Sequence, residues 1–556
     1  MSDAWKKRYK DAAGVCADAV HRLREKGPGQ IQFWLIALVI GVAAGFAAVL
    51  FRDGILLLQE TVYGATDREL HSRLAELPWT WVVGIPIMGG LVVGIILHVF
   101  TDDHRARSVA QVIEGAALRQ GRVERKAGLV SAVVSLITLS TGGSTGREGP
   151  VVHLAAVMSS SVADYMRANA ITARDLMGCA VAAAVSASFN APIAGALFAL
   201  EVILRHFAIH AFAPIVVASV MGTVVSRLWA GDFTEFVLPE RTLDFYVEIP
   251  AYMILGLVCG LVATIMMKAI FWAEDAGDWA QRKARMPFFL RPALAGLLLG
   301  IIALAFPHII GVGYETTNRA LGGGMIFWEA IVFTIVKVVA VAITFAGRMG
   351  GGVFSPSLMV GALTGLAFGM LATNIFPDVS GSETLYALAG MGAVAAAVLG
   401  APISTTLIVF ELTGDWQAGI AIMVSVSLAS ALSYRLVDYS FFLTQLERRG
   451  VHLAAGPQTW LLCTIRAVDL MRHRGSEDGA SDTQAWAMVE QGAYLTREDT
   501  LERAMPMFER LRATSIPVVE RKAAGEPPAL LGSLFHIDAL RAYNRALADT
   551  AQEEHS

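Results

Sequence analysis

The chain has 556 residues, of which 55% are hydrophobic and only 17% charged, against about 25% charged in an ordinary soluble protein. A net charge of −4 gives no sign of a nucleic-acid surface. Cys16, Cys179, Cys259 and Cys463 stand apart with no Cys-x-x-Cys pair, which suggests neither a disulfide framework nor a metal cage.

Such a composition points to an integral membrane protein over most of its length. The first thirty residues carry Lys6, Lys7, Arg8, Lys10, Arg22, Arg24 and Lys26 before the apolar run that opens at Ile31. A cleavable signal peptide would place its apolar core sooner, so residues 1–30 read as a basic amphipathic helix on the inner membrane face. Apolar segments follow near 31–51, 81–100, 127–141, 150–163, 176–189, 192–204 and 211–229, then 250–273, 292–306, 326–346, 357–373, 385–399, 402–412 and 418–437. A spanning helix needs about 20 residues. Several of these runs are shorter and broken by Gly and Pro, so they read as half-helices packed inside protein, where irregular backbone survives at membrane depth.

Loop charges assign the sides. Arg119, Arg122, Arg125 and Lys126 share one loop, and Arg282, Lys283 and Arg285 another. The 230–248 loop instead holds Asp232, Glu235, Glu240, Asp244 and Glu248 against Arg241 alone. Excess Lys and Arg mark the cytoplasmic side, which puts both termini inside a multi-pass protein of the cell's inner membrane. After about residue 440 polar residues return, and 475–485 reads as a flexible linker. A helical pattern over Thr500–Leu511, strand-like stretches at 516–519 and 530–534, and a helix near Asp538–Ala548 predict a small soluble α/β tail.

A duplication runs through the apolar part. Gly146-Arg147-Glu148-Gly149-Pro150 precedes Ala191-Pro192-Ile193 and Glu201, and Gly352-Val353-Phe354-Ser355-Pro356 precedes Ala401-Pro402-Ile403 and Glu411. Proline and glutamate are equally far apart in both copies, as expected of a transport unit built from two repeats, about 31–230 and 250–440, whose broken helices meet at a central ion site. Pro at a helix start removes only an N–H that would stay unpaired. Helices running on from Pro150 and Pro356 then aim positive ends at one spot, where dipoles hold an anion without a buried full positive charge and let it leave again.

Glu148 is the anomaly. A carboxylate aimed at an anion site competes with the anion for the same N–H groups and acts as a gate or a proton carrier; the bland alternatives are an ordinary cap or a salt bridge to Arg147. An ionisable residue inside a membrane is functional by default. Glu201 and Glu411 recur in both copies, so packing or capping is expected of them. His153 reads as a packed polar residue. Phe354, at the place of Glu148 in the second repeat, either narrows a pore or fills core.

These segments, Gly146 to Pro150, Ala191 to Glu201, Gly351 to Pro356 and Ala401 to Asp415, resemble the CLC family of chloride channels and chloride/proton antiporters over roughly residues 30–450. The resemblance implies an all-α polytopic fold of two inverted-topology repeats, a homodimer with one pore per subunit, chloride as the transported ion, and Glu148 as the gating glutamate. Backbone N–H groups of Gly149, Val353, Phe354 and Ser355 would line the anion path. Departures from the family pattern weigh as much. Its first filter motif, of Gly-Ser-Gly-Ile-Pro type, falls on Ala106-Arg107-Ser108-Val109-Ala110. Spacing back from Glu148 puts Arg107 at the serine position, whereas matching Glu114-Gly115-Ala116 puts Ser108 there. The tyrosine closing the inner end of the path falls on Phe442, with Tyr439 the nearest other hydroxyl. The inner proton-relay glutamate falls on Val202.

A valine carries no proton, which favours a passive channel over an antiporter lacking that inner carboxylate. The tail near 493–548 resembles a CBS domain, with Ile465–Met471 in the 451–492 linker like the start of one. Phe535, three residues before Asp538, replaces the Thr or Ser of nucleotide-binding members and counts against ATP binding, so no cofactor is expected. An intramembrane enzyme finds no support: the sequence has no His/Glu metal spacing and no Ser/His or Ser/Lys pair in the membrane. The intact filter glycines of both repeats argue against a mere sensor.

Overall fold

The computed structural model describes residues 29–67, 69–207, 209–231, 245–377, 380, 382–413, 416–453, 461–462, 465–476, 479–520 and 529–555. The expected N-terminal amphipathic helix and most of the acidic 230–248 loop lie outside the described residues. Two compact units emerge: one runs to Phe207 and from Ala211 to Arg449, the other is Gly450–Ser556 with Ala208–His210. Among the described residues of the chain, nine helices are long and apolar enough to cross a membrane.

The first unit is two copies of one helical pattern, the inverted-repeat architecture expected from the duplication. Gln30–Tyr63, Trp79–Phe100, Val109–Leu118 and Arg125–Ser140 are matched in order by Phe245–Ala284, Arg291–Ala305, Tyr314–Leu321 and Phe327–Ala346. Glu148–Met166, Ala170–Phe189, Pro192–Phe198 and Ile209–Ala230 are likewise matched by Phe354–Ile375, Glu383–Leu399, Pro402–Thr413 and Trp416–Leu436. The first and last helices of each copy pack through small residues. A Cβ on Gly41 would lie 2.6 Å from the Ala218 carbonyl oxygen, and one on Gly256 would lie 2.6 Å from that of Ser425. Gly45 against Gly222 and Gly260 against Ala429 repeat the contact one turn on. Small residues four apart let backbones approach where lipid supplies no hydrophobic drive.

The half-helices follow the sequence reading, with two refinements. Pro192–Phe198 continues as a π-turn, Ala199–Leu204, and neither it nor Pro402–Thr413 is long enough to span. Both Gly-Pro helices start earlier than their prolines, at Glu148 and Phe354, so Pro150 and Pro356 are the third residue of each. Short helices such as Val109–Leu118, Tyr314–Leu321 and Phe441–Glu447 were not read in advance, because two or three turns give too short a period to stand out.

In the second unit the strands β1 (Arg472–His473), β2 (Leu495–Thr496), β3 (Ser515–Glu520) and β4 (Ala529–Phe535) form one sheet of order β1-β4-β3-β2. Helix Leu501–Leu511 covers it through Leu501, Ala504 and Phe508, packed with Ile516, Val518 and Leu534. Helix Asp482–Glu490 starts inside the stretch read as linker. It is held by Ala485 and Val489 against Val519 and Leu530, a contact with no local signature.

Candidate functional site: two helix starts clasped across the repeats

The two copies of the Gly-Pro motif meet directly. Gly146 N–H donates to the Gly352 carbonyl at 2.7 Å, and Gly352 N–H returns the bond to Gly146 at 2.8 Å. This isolated antiparallel bridge pairs a residue with its own equivalent, as a two-fold axis between repeats requires. Thr145 Oγ1 adds a bond to the Gly352 carbonyl at 2.8 Å. A Cβ on Gly352 would lie 3.0 Å from Gly149 N, and one on Gly149 only 2.9 Å from Ser108 Oγ. Bare backbone is what lets three segments close on one point.

Neither filter helix is capped by the side chain of its preceding residue, Arg147 or Val353, so first-turn N–H groups are left for another acceptor beside the bridge. Glu148 occupies this place. Its Oε1 accepts from Ser355 Oγ at 2.5 Å and lies 3.5 Å from the Tyr314 hydroxyl, and its carboxylate also meets the backbone N–H of Ser355. Its Oε2 is buried without a hydrogen-bond partner among the described residues and would lie 2.6 Å from a Cβ on Gly146. Glu148 is 4% exposed. The site is not purely dipolar, against expectation: Arg147 is 3% exposed, and its guanidinium lies over the Tyr314 ring, 5.1 Å from the centroid. A full positive charge thus sits beside the carboxylate, turned to an aromatic face.

Phe354 opens the second filter helix where Glu148 opens the first. Its ring packs on Phe189 at 4.8 Å and Phe198 at 6.4 Å, so it fills the core next to the site. Pro150, Val353 and Pro356 are buried with it.

The two candidates in 106–110 separate cleanly. Ser108 is the residue before helix Val109–Leu118, with Gln111 Oε1 accepting from its N–H at 2.7 Å, and its hydroxyl faces Gly149. Its carbonyl is 3.1 Å from His153 Nδ1, which gives the packed histidine its place. Arg107 points away, paired with Asp103 and with Glu124. Arg119 first, and Arg107 with it, holds the Glu124 carboxyl below the usual carboxylate range.

On the Ser108 side a cavity of about 260 Å³ opens, bordered by Ser108 and Gly351 and by Arg105, Arg291, Arg348, Arg448 and Arg449. Three carboxylates, Glu274, Asp275 and Asp278, line it too, and five arginines against three acids leave a positive basin that concentrates anions. Helix Phe441–Glu447 packs on the helix that Ser108 precedes. Phe442 is buried edge-on to Phe441 at 5.9 Å, while the Tyr439 carbonyl accepts from Thr444. Val202 is 5% exposed, in the π-turn.

Glu201 and Glu411 cap each other's repeats. Glu201 accepts from Ile403 N at 3.0 Å and from Ser404 N and Oγ at 2.8 and 2.7 Å. Glu411 accepts from Ile193 N at 2.9 Å and Ala194 N at 2.8 Å. Each carboxylate thus satisfies the orphan N–H groups of the other copy's Pro-led half-helix. In the second unit Asp538 pairs with Arg472 at 2.8 Å. Tyr314 was not foreseen: no apolar period marks its helix, and only the glycines Gly311 and Gly313 before it hint at a special turn.

Comparison with known proteins agrees with this geometry. Residues 89–434 match the family described as voltage gated chloride channel. The chain is 32% identical over 432 residues to the chloride channel protein CLC-f of Arabidopsis thaliana, an alignment covering 73% of this chain but 54% of the plant protein. It is 31% identical over 395 residues to a ClcB-like protein of Ralstonia nicotianae, covering 70% of this chain and 91% of that one. Among solved structures, a slow cyanobacterial Cl⁻/H⁺ antiporter shares the fold with a TM-score of 0.67 at 20% identity, over 75% of this chain and 97% of the other. With the matched span covering more than half of its length and both copies of the clasped motif, the chain belongs to the voltage gated chloride channel (CLC) family.

Proposed function

We propose that this protein carries chloride, or a similar small monovalent anion, across a lipid bilayer, and that it does so as a passive channel gated by Glu148. The observation that carries the reading is the Glu148 carboxylate seated on the pocket made by both filter helices, held by Ser355 from the opposite repeat. An anion takes that place when the carboxylate leaves, by displacement or protonation. Gly146, Gly149, Gly352, Val353, Phe354 and Ser355 supply backbone to the path, and Ser108 supplies a hydroxyl on the side of the arginine-lined basin. Val202 supports passive conduction, since its apolar side chain cannot relay a proton inward.

A second reading, chloride/proton exchange, is favoured by one feature: the Glu274 carboxylate lines the same cavity as Ser108 and offers a titratable group where Val202 does not. The cyanobacterial structural relative is itself an antiporter. Reversal potentials of the reconstituted protein under crossed chloride and pH gradients separate the two. A channel follows the chloride gradient alone, whereas uphill proton movement driven by chloride overturns the channel reading.

The family resemblance further supports a homodimer with a pore in each subunit, an inner-membrane location with both termini cytoplasmic, and transport without enzymatic chemistry. For the C-terminal unit we favour a single CBS-like copy that pairs across the dimer axis. With Phe535 in the hydroxyl position and Asp538 engaged by Arg472, nucleotide is not its ligand on this reading.

A further inference from the structure

We propose that Tyr314 is a positioning residue of the gate, holding the Glu148 carboxylate over the anion pocket together with Ser355. The proposal rests on the reading of Glu148 as the gate. Two hydroxyls from the second repeat converge on one oxygen: Ser355 Oγ at 2.5 Å and Tyr314 OH at 3.5 Å from Glu148 Oε1. They come from the starts of two different helices, Phe354–Ile375 and Tyr314–Leu321. A hydroxyl facing a carboxylate stabilises its charged, seated form.

The pseudo-symmetry explains why a hydroxyl belongs there. Tyr314–Leu321 is the second-repeat counterpart of Val109–Leu118, whose start brings the Ser108 hydroxyl to Gly149. The two short helices thus deliver one hydroxyl each to the bridge, Ser108 beside Gly149 and Tyr314 beside Glu148.

Tyr314 is held rigidly. Gly313 has φ +93°, and a Cβ there would lie 2.4 Å from Met359 Sδ, on the helix that carries Ser355. Lys337, fully buried in helix Phe327–Ala346, donates to the carbonyls of Ile309 and Gly311 at 3.1 Å each. It staples the turn that aims the ring, which gives this buried lysine a purpose. Arg147 lies over the ring, 5.1 Å from its centroid. The phenol is thereby fixed between a cation and the carboxylate, and it costs little rotamer entropy to keep it there.

The test is chloride efflux from proteoliposomes at one fixed pH for the wild type, Tyr314→Phe, Glu148→Ala and the double variant. Tyr314→Phe keeps the ring and its contact with Arg147 and deletes only the hydroxyl. We expect it to raise efflux about three- to tenfold, the loss of one long hydrogen bond to a charged group. In the Glu148→Ala background the same substitution should change nothing. Unchanged efflux for Tyr314→Phe, with Glu148→Ala still raising it, overturns the proposal and leaves the gate intact. An equal effect with and without Glu148 also overturns it, because Tyr314 would then act on the pore itself. If Glu148→Ala leaves efflux unchanged, the gate reading falls first.

Discussion

The two repeats start their filter helices with the same backbone and different side chains. Gly146 faces Gly352 and Pro150 matches Pro356, yet the residue that opens the helix is Glu148 in one and Phe354 in the other. Glu148 turns inward to Ser355, whereas Phe354 packs on Phe189 and Phe198. By contrast Glu201 and Glu411 stand at equivalent places and do equivalent work, each capping the other copy. Where the duplication keeps a residue, the residue builds the scaffold; where it lets the two copies diverge, a carboxylate faces the helix starts on one side and an aromatic ring fills core on the other.

That contrast breaks first at the helix starts. Phe354→Ala should cost about 3 kcal/mol of stability through the cavity it leaves, read as an earlier thermal unfolding in detergent, while Glu148→Ala should unfold no earlier. Glu148→Ala should instead raise chloride efflux about tenfold or more, the loss of bonds to a charged group. A Phe354→Ala variant that gates abnormally at full stability would erase the distinction between the copies.

The capping pair offers a smaller, finer measure. Glu201 accepts three bonds and Glu411 two. Glu201→Ala should therefore destabilise by about 2 kcal/mol and Glu411→Ala by about 1 kcal/mol, both discounted because the carboxylates are half-buried. Equal losses, or none, would show that the caps are not what holds the half-helices. Smallest of all is the difference between adjacent residues in the first copy. Ser108→Ala should weaken chloride binding about threefold by calorimetry. Arg107→Ala, which removes only peripheral ion pairs, should change binding negligibly and stability by about 0.5 kcal/mol.

Long helices were legible because hydropathy summed over some twenty residues outweighs local noise, and every long apolar run in the chain became a helix. Short ones were not. Val109–Leu118, Tyr314–Leu321 and Phe441–Glu447 span two or three turns, which do not persist alone and exist because neighbours pack on them. They are also the elements that begin at Ser108 or carry Tyr314 and Phe442. For the same reason spacing could not choose between Arg107 and Ser108: one residue of offset separates a side chain facing Asp103 and Glu124 from one facing Gly149.

By itself the sequence determined that this is a duplicated membrane protein with broken helices and that Glu148 breaks the duplication. Both reside in composition, period and spacing, whereas the reading of Val202 and Phe442 as replacements of polar residues came only with the family resemblance. Only the tertiary structure decided that Gly146 and Gly352 clasp, that the glutamates cap across repeats, and that Tyr314 reaches Glu148. These pairings join residues some two hundred positions apart through contacts of about 3 Å, and no local pattern encodes which distant backbone will arrive.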